Sequence, residues 1–141
     1  MRYVVGLLFS DNLDYVLLIE KKRPTWQAGK LNGVGGKAGQ DEGLLAAMMR
    51  EFKEETGVHV DSWKHLIDQR FPGGKVAYFI AKSSEALDAA KTVTDEELEI
   101  ISVAHIINPL YELIEPLQWI IPMGIYSLQG KMDDTSFTIW N

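Results

Sequence analysis

The sequence predicts a mixed α+β domain, and three stretches carry that prediction. Val4-Val5-Gly6-Leu7-Leu8-Phe9 and Tyr15-Val16-Leu17-Leu18-Ile19-Glu20 are short apolar runs that read as strands, separated by the turn formers Ser10-Asp11-Asn12-Leu13-Asp14. Asp41 to Thr56 has the apolar spacing of an amphipathic helix, and Gly57 stands where such a helix ends. Pro72-Gly73-Gly74-Lys75 lies between the runs Ile67 to Phe71 and Val76 to Ala81, which marks a hairpin. Strands and helices do not alternate strictly, so a purely parallel βαβ sheet is not expected.

The remaining elements follow in chain order. Lys21 to Gly36 holds Pro24, Gly29, Gly33, Gly35 and Gly36, and is expected to be mostly loop. Asp41 or a neighbour is placed to cap the helix that follows. Val58 to Val60 reads as a short strand start, and Ser84 to Lys91 as a short helix or a loop. Ile100 to Ile107 suggests another strand. Pro116 to Leu128 suggests a last helix, with Pro116 near its first turn. Residues 129–141 read as a tail or an edge strand. No repeat, low-complexity stretch or linker divides the chain, so residues 1–141 are expected to form a single domain.

Composition narrows the function classes. The 141 residues are 46% hydrophobic, enough for an ordered core. A formal charge of −6 argues against a protein built to hold nucleic-acid backbones. It leaves room for a small anionic substrate, because a bound metal inverts the local field. Cysteine is absent, which removes disulfides and thiolate metal sites. The apolar run Tyr3 to Phe9 is too short for a signal peptide or a membrane span, so a cytoplasmic protein without a membrane partner is expected.

The chemistry is concentrated in the predicted helix. Glu51, Glu54 and Glu55 crowd its last turns, where the helix dipole is already negative. Like charges three or four residues apart repel by roughly 0.2–0.5 kcal/mol per pair. On a helical wheel the three acids lie within about 100° of one another, at the edge of the apolar arc formed by Leu44, Leu45, Met48, Met49 and Phe52. Converging carboxylates of this kind suit Mg²⁺ or Mn²⁺, which prefer oxygen ligands and also take substrate phosphates. On the helix alone, the acids equally fit a solvated end paired with Arg50 and Lys53. The preceding Gly33-Val34-Gly35-Gly36-Lys37 favours the metal: its glycines allow close backbone approach, and Lys37 is a point charge suited to a phosphate.

The stretch Gly36 to Val58 resembles the Nudix box: Gly, five residues, Glu, seven residues, Arg-Glu, an apolar residue, one residue, Glu-Glu, one residue, Gly, an apolar residue. Gly36, Glu42, Arg50, Glu51, Phe52, Glu54, Glu55, Gly57 and Val58 fill every defined place. Gly39 and Asp41 depart from the Glu and Gly that many members carry there. The resemblance implies an α/β/α sandwich with a mixed central sheet, and hydrolysis of a nucleoside diphosphate linked to another group. It implies Mg²⁺ or Mn²⁺ held by Glu51, Glu54 and Glu55 with help from the Gly36 carbonyl, and supporting roles for Arg50 and Glu42. Members occur as monomers or homodimers.

In-line attack of water on a phosphoanhydride needs a carboxylate base. Glu54 is in the cluster already. Family members often use a loop acid about forty residues past the box, which points to Thr94-Asp95-Glu96-Glu97, with Glu97 the first choice and Glu96 the second. A solvated acidic turn is the alternative for both.

For the substrate, Gly29-Lys30-Leu31-Asn32-Gly33-Val34-Gly35-Gly36-Lys37 is similar to a stretch of the oxidised-purine nucleoside triphosphatases of this family. The similarity implies that Asn32 contacts a purine; a turn residue before Gly33 is the other reading. Glu115-Pro116-Leu117-Gln118-Trp119 loosely resembles their base pocket and makes Glu115 a candidate base reader. Trp119 fits either ring stacking or a core position in the last helix. A triphosphatase yielding a monophosphate and pyrophosphate therefore leads. A diphosphatase for ADP-ribose, a dinucleoside polyphosphate or a nucleotide sugar, and a non-hydrolysing ligand-sensing module, are the alternatives.

Overall fold

A computed structural model describes residues 1–106, 112–132 and the backbone of 137–140. The strands are β1 (Arg2–Phe9), β2 (Tyr15–Glu20), β3 (Leu31–Asn32), β4 (Val34–Lys37), β5 (Lys64–Phe71), β6 (Gly74–Lys82), β7 (Leu98–Ser102) and β8 (Phe137–Trp140). The helices are α1 (Leu44–Thr56), α2 (Ser84–Ala89) and α3 (Leu117–Leu128). The strands form one mixed sheet in the order β3-β2-β1-β6-β5-β8, with β4 also on β1 and β7 also on β2. β1 pairs in parallel with β6, while its other edge is shared antiparallel between β4 and β2.

Alternation along the strands divides the core in two. Val4 and Leu8 of β1, Leu17 and Ile19 of β2, and Ala77, Phe79 and Ala81 of β6 pack with Ala47, Met48 and Phe52 of α1 and with Ala86 and Leu87 of α2. The opposite face offers Val5, Leu7, Phe9, Val16, Leu18, Tyr78 and Ile80 to Leu117, Ile120 and Ile121 of α3. The result is the expected α/β/α sandwich.

Several elements differ from the sequence expectation. Val34 to Lys37 is not loop: it is a strand with Gly36 opposite Val4 and Gly35 opposite Val5. A Cβ on Gly35 would lie 1.9 Å from the Val4 carbonyl oxygen, so only glycine admits this pairing. Val58 to Val60 forms no strand. Gly43, not Asp41, is the N-cap of α1, and no side chain caps it. The predicted 100–107 strand runs earlier, over Leu98–Ser102, and residue 107 lies outside the described residues. Other features match: Gly57 ends α1 at φ 77°, Gly73 turns the hairpin at φ 91°, and Ser83 caps α2. β8 runs parallel to β5, which places part of the C-terminal stretch as a strand.

The rotation of α1 is set by its apolar stripe. Ala47, Met48, Phe52 and Thr56 are buried, while Leu45, placed in the apolar arc by the wheel, is exposed. Phe52 packs edge-on against Trp63 with ring centroids 5.2 Å apart. Gly6 lets the helix come down: a Cβ there would meet the Met48 side chain at 2.6 Å. Truncating Phe52→Ala is therefore expected to destabilise the fold by about 3–5 kcal/mol. Urea denaturation checks this, and a loss below about 1 kcal/mol would contradict the packing described.

Candidate active site

With α1 held in that rotation, its polar edge faces the end of β4. A Cβ on Gly36 would sit 2.5 Å from the Glu51 carboxylate, so the missing side chain is what lets the strand approach that acid. Glu51 is only 12% exposed at its side chain, against 57% for Glu54.

Arg50 organises the cluster. Its Nε and Nη2 donate to the two oxygens of Glu42 at 2.8 and 2.9 Å, a bidentate pair. Its Nη1 donates to Glu51 at 2.9 Å and to Glu54 at 3.2 Å, and Nη2 also reaches the Lys37 carbonyl at 3.2 Å. Glu42 in turn accepts the Gly39 amide at 3.0 Å, which pins the turn before the helix. Glu55 accepts a hydrogen bond from Thr94 at 3.0 Å.

These contacts set the charges. The Arg50 hydrogen bonds, with the Gly39 amide, draw the Glu42 carboxyl down to about 2. Burial pushes Glu51 above the ordinary carboxylate value against the pull of Arg50, and Glu54 and Glu55 push it the same way. One guanidinium thus serves Glu42, Glu51 and Glu54, with Glu55 close enough to repel Glu51. The patch keeps an excess of negative charge beside a half-buried carboxylate, which a divalent cation would relieve. Arg50 lies between the acids, and among the described residues no three of them close into a cage. The residues fit such a cation by charge, donor type and the room left at Gly36.

The loop acids part company. Glu96 is buried, and its carboxylate accepts from Lys21 Nζ at 3.0 Å and the Lys22 amide at 2.6 Å. Burial alone would raise its carboxyl, but those donors outweigh it and hold the group below its ordinary value. Glu97 is exposed, and its backbone carbonyl accepts the Glu20 amide at 2.9 Å. The expectation that Glu96 serves as a base therefore meets a carboxylate already committed to holding the chain.

On the α3 side of the sheet lies a cleft of about 1260 Å³. Asn32, Gly36, Glu115 and Trp119 all line it, so two stretches far apart in sequence come together. Asn32 is buried, and its Oδ1 accepts the Gly33 amide at 2.7 Å. Glu115 and Trp119 are exposed to the cleft, which replaces the core reading of Trp119. Lys37 is not in this cleft; it lines a smaller hollow with Arg2 and Arg50. Lys21 also lines the cleft, as do Gln27 and Tyr78, which carried no local sequence signal. Trp26, 64% exposed, stands at its wall.

Comparisons with known proteins give the family and the fold. The family model described as the NUDIX domain matches residues 1–117. The fold is similar to MutT described from Aliivibrio salmonicida and Vibrio cholerae, with TM-score 0.71 at 19% identity, covering 90% of this chain and 99% of that one. It is similar to MutT of Bacillus halodurans, with TM-score 0.70 at 20% identity over 99% of this chain and 88% of the other. It is also similar to the NUDIX domain of Shewanella oneidensis NrtR, solved with ADP ribose, with TM-score 0.71 at 16% identity over 91% and 88%. No curated protein matches the sequence. The chain belongs to the NUDIX domain family. It is a Nudix pyrophosphohydrolase, acting on a nucleoside diphosphate derivative. Among the described residues, no helix is long and apolar enough to cross a membrane.

The cluster makes two outcomes testable. Gly36→Ala is expected to keep the fold, because the clashing atoms are the mobile end of Glu51, yet to lower kcat at least about tenfold by displacing that carboxylate; circular dichroism and steady-state kinetics check both halves. The Glu42–Arg50 pair contributes stability that is fully present above the ordinary glutamate value and is lost as pH falls towards about 2. Thermal melts of Glu42→Gln should therefore lie below those of the unaltered protein at pH 7 and converge with them near pH 2. A constant gap across that range would contradict the pair's role.

Proposed function

We propose that the protein hydrolyses a nucleoside triphosphate to the monophosphate and pyrophosphate, with oxidised purine nucleotides as the preferred class. The observation that carries this reading is the meeting of Asn32, Glu115 and Trp119 in one cleft that is also lined by Gly36, the close neighbour of Glu51. Asn32 and Glu115 offer hydrogen-bonding groups to a purine edge, and Trp119 offers a ring face. Glu51, Glu54, Glu55 and the Gly36 carbonyl are assigned to Mg²⁺ or Mn²⁺. That cation supplies charge neutralisation at the phosphate oxygens and lowers the cost of ionising water. Arg50 and Glu42 keep the acids in place, and Lys37 is assigned to the phosphate tail. A cytoplasmic enzyme, monomeric or homodimeric, with a small nucleotide as its partner, fits this reading.

The base must accept a proton from the attacking water. Glu97 is assigned that role, because it is exposed and lies three residues from the Thr94 contact with Glu55. Glu54, the most exposed acid bonded to Arg50, is the alternative. Glu97→Gln is expected to lower kcat by about 10²-fold or more with folding intact. If Glu97→Gln turns over near normally while Glu54→Gln does not, the base lies within the cluster.

A second reading has its own support: the similar NrtR domain was solved with ADP ribose. A panel of nucleoside triphosphates, oxidised purine triphosphates, ADP-ribose and nucleotide sugars, with Mg²⁺ and product identification, separates the two. Hydrolysis of ADP-ribose alone would overturn the triphosphatase reading.

A further inference from the structure

Residues 92–97 join two regions that lie far apart in the sequence. At one end the buried Glu96 carboxylate holds the strand end that follows β2: Lys21 through its ammonium, and Lys22 and Arg23 through their amides, the last at 3.4 Å. Asp95 adds a two-point ion pair with the Arg23 guanidinium, one bond of it at 3.2 Å. At the other end Thr94 meets Glu55.

The Thr94 hydroxyl makes two bonds with a fixed sense. Its oxygen accepts the Glu96 amide hydrogen at 3.2 Å, and it donates to Glu55 Oε2 at 3.0 Å. A hydroxyl has one proton, and a carboxylate has none to give, so the proton points at Glu55. Glu55 is the last acid of α1, in its final turn, and a carboxylate there rotates freely unless something holds it.

We propose that Thr94 is a positioning residue for Glu55, and that buried Glu96 sets Thr94 in place. The proposal rests on the assignment of Glu55 to the divalent cation. Glu96 then acts on the metal site through Thr94, without touching the cation or the substrate. Partners that orient a metal-binding carboxylate change metal affinity by about 10–100-fold when removed. The lower end is expected here, because Thr94 is exposed.

The test is a titration of the protein with Mn²⁺ alone, followed by the electron paramagnetic resonance signal of the free ion. Thr94→Val, which keeps the shape and loses the hydroxyl, should weaken Mn²⁺ binding about tenfold, and Thr94→Ser should stay within about twofold of the unaltered protein. Glu96→Gln should weaken binding to a similar degree, and the double variant should be no weaker than the worse single one, because the two act in series. Binding by Thr94→Val equal to the unaltered protein overturns the proposal, as does full multiplication of the two effects. If Glu96→Gln does not fold, the contrast between Val and Ser at position 94 decides alone. Glu55→Gln separates the two levels: if it binds Mn²⁺ unchanged, the metal assignment falls and the clasp with it. If it loses binding while Thr94→Val does not, only the clasp falls.

Discussion

Arg50 ties together three pieces of chain with one planar group. Its fork grips both oxygens of Glu42, its Nη1 reaches Glu51 and Glu54, and its Nη2 reaches the Lys37 carbonyl. The turn before α1, the end of β4 and the helix itself are thereby fixed to one another. A lysine cannot replace it, because a single ammonium has no fork to match a carboxylate while serving two others. The same group leaves the acids undercompensated. A structural tie that neutralised them fully would also remove their attraction for a metal ion.

β4 stands between the two halves of the site. Gly36 lines the cleft on one side, and its missing side chain makes room for Glu51 on the other. Gly35 meanwhile lets the strand press against Val4, which holds this wall in the sheet. Gly35 and Gly36, expected in a loop, instead belong to a paired strand with almost no side-chain bulk. On the proposed reading, a polyphosphate whose nucleoside lies in the cleft would be brought near the acids by this strand, which suits a reaction that depends on alignment.

The sequence exposed the helix well because its acids, its Arg and its terminal Gly57 sit at fixed local spacings. The wheel had Met48 and Phe52 facing inward correctly but missed two positions: Leu45 is exposed and Ala47 buried, since the sheet beneath, and not the size of the apolar side chain, decides which residues face inward. The cleft was only partly legible. Asn32 and Glu115 came from motif similarity, whereas Gln27 reaches it from the turn at Thr25–Gln27 and Tyr78 through strand pairing that no local pattern encodes. Val34 to Lys37 was misread as loop because glycine lowers every strand signal, even where its small size is what permits the pairing.

Glu96 and Glu97 show how burial separates two adjacent identical residues. A base must gain a proton, so its usefulness falls as its conjugate acid strengthens. Glu96 is held ionised by Lys21 and the Lys22 amide, and its carboxyl lies below the ordinary value despite burial. The donors that make it a good anchor make it a poor base. Glu97, proposed as the base, faces water, while Glu96 anchors the loop that carries it, with Thr94 beside it. Two neighbouring acids of one turn thus differ in what is open to them, and the difference is set by which of the two the fold covers.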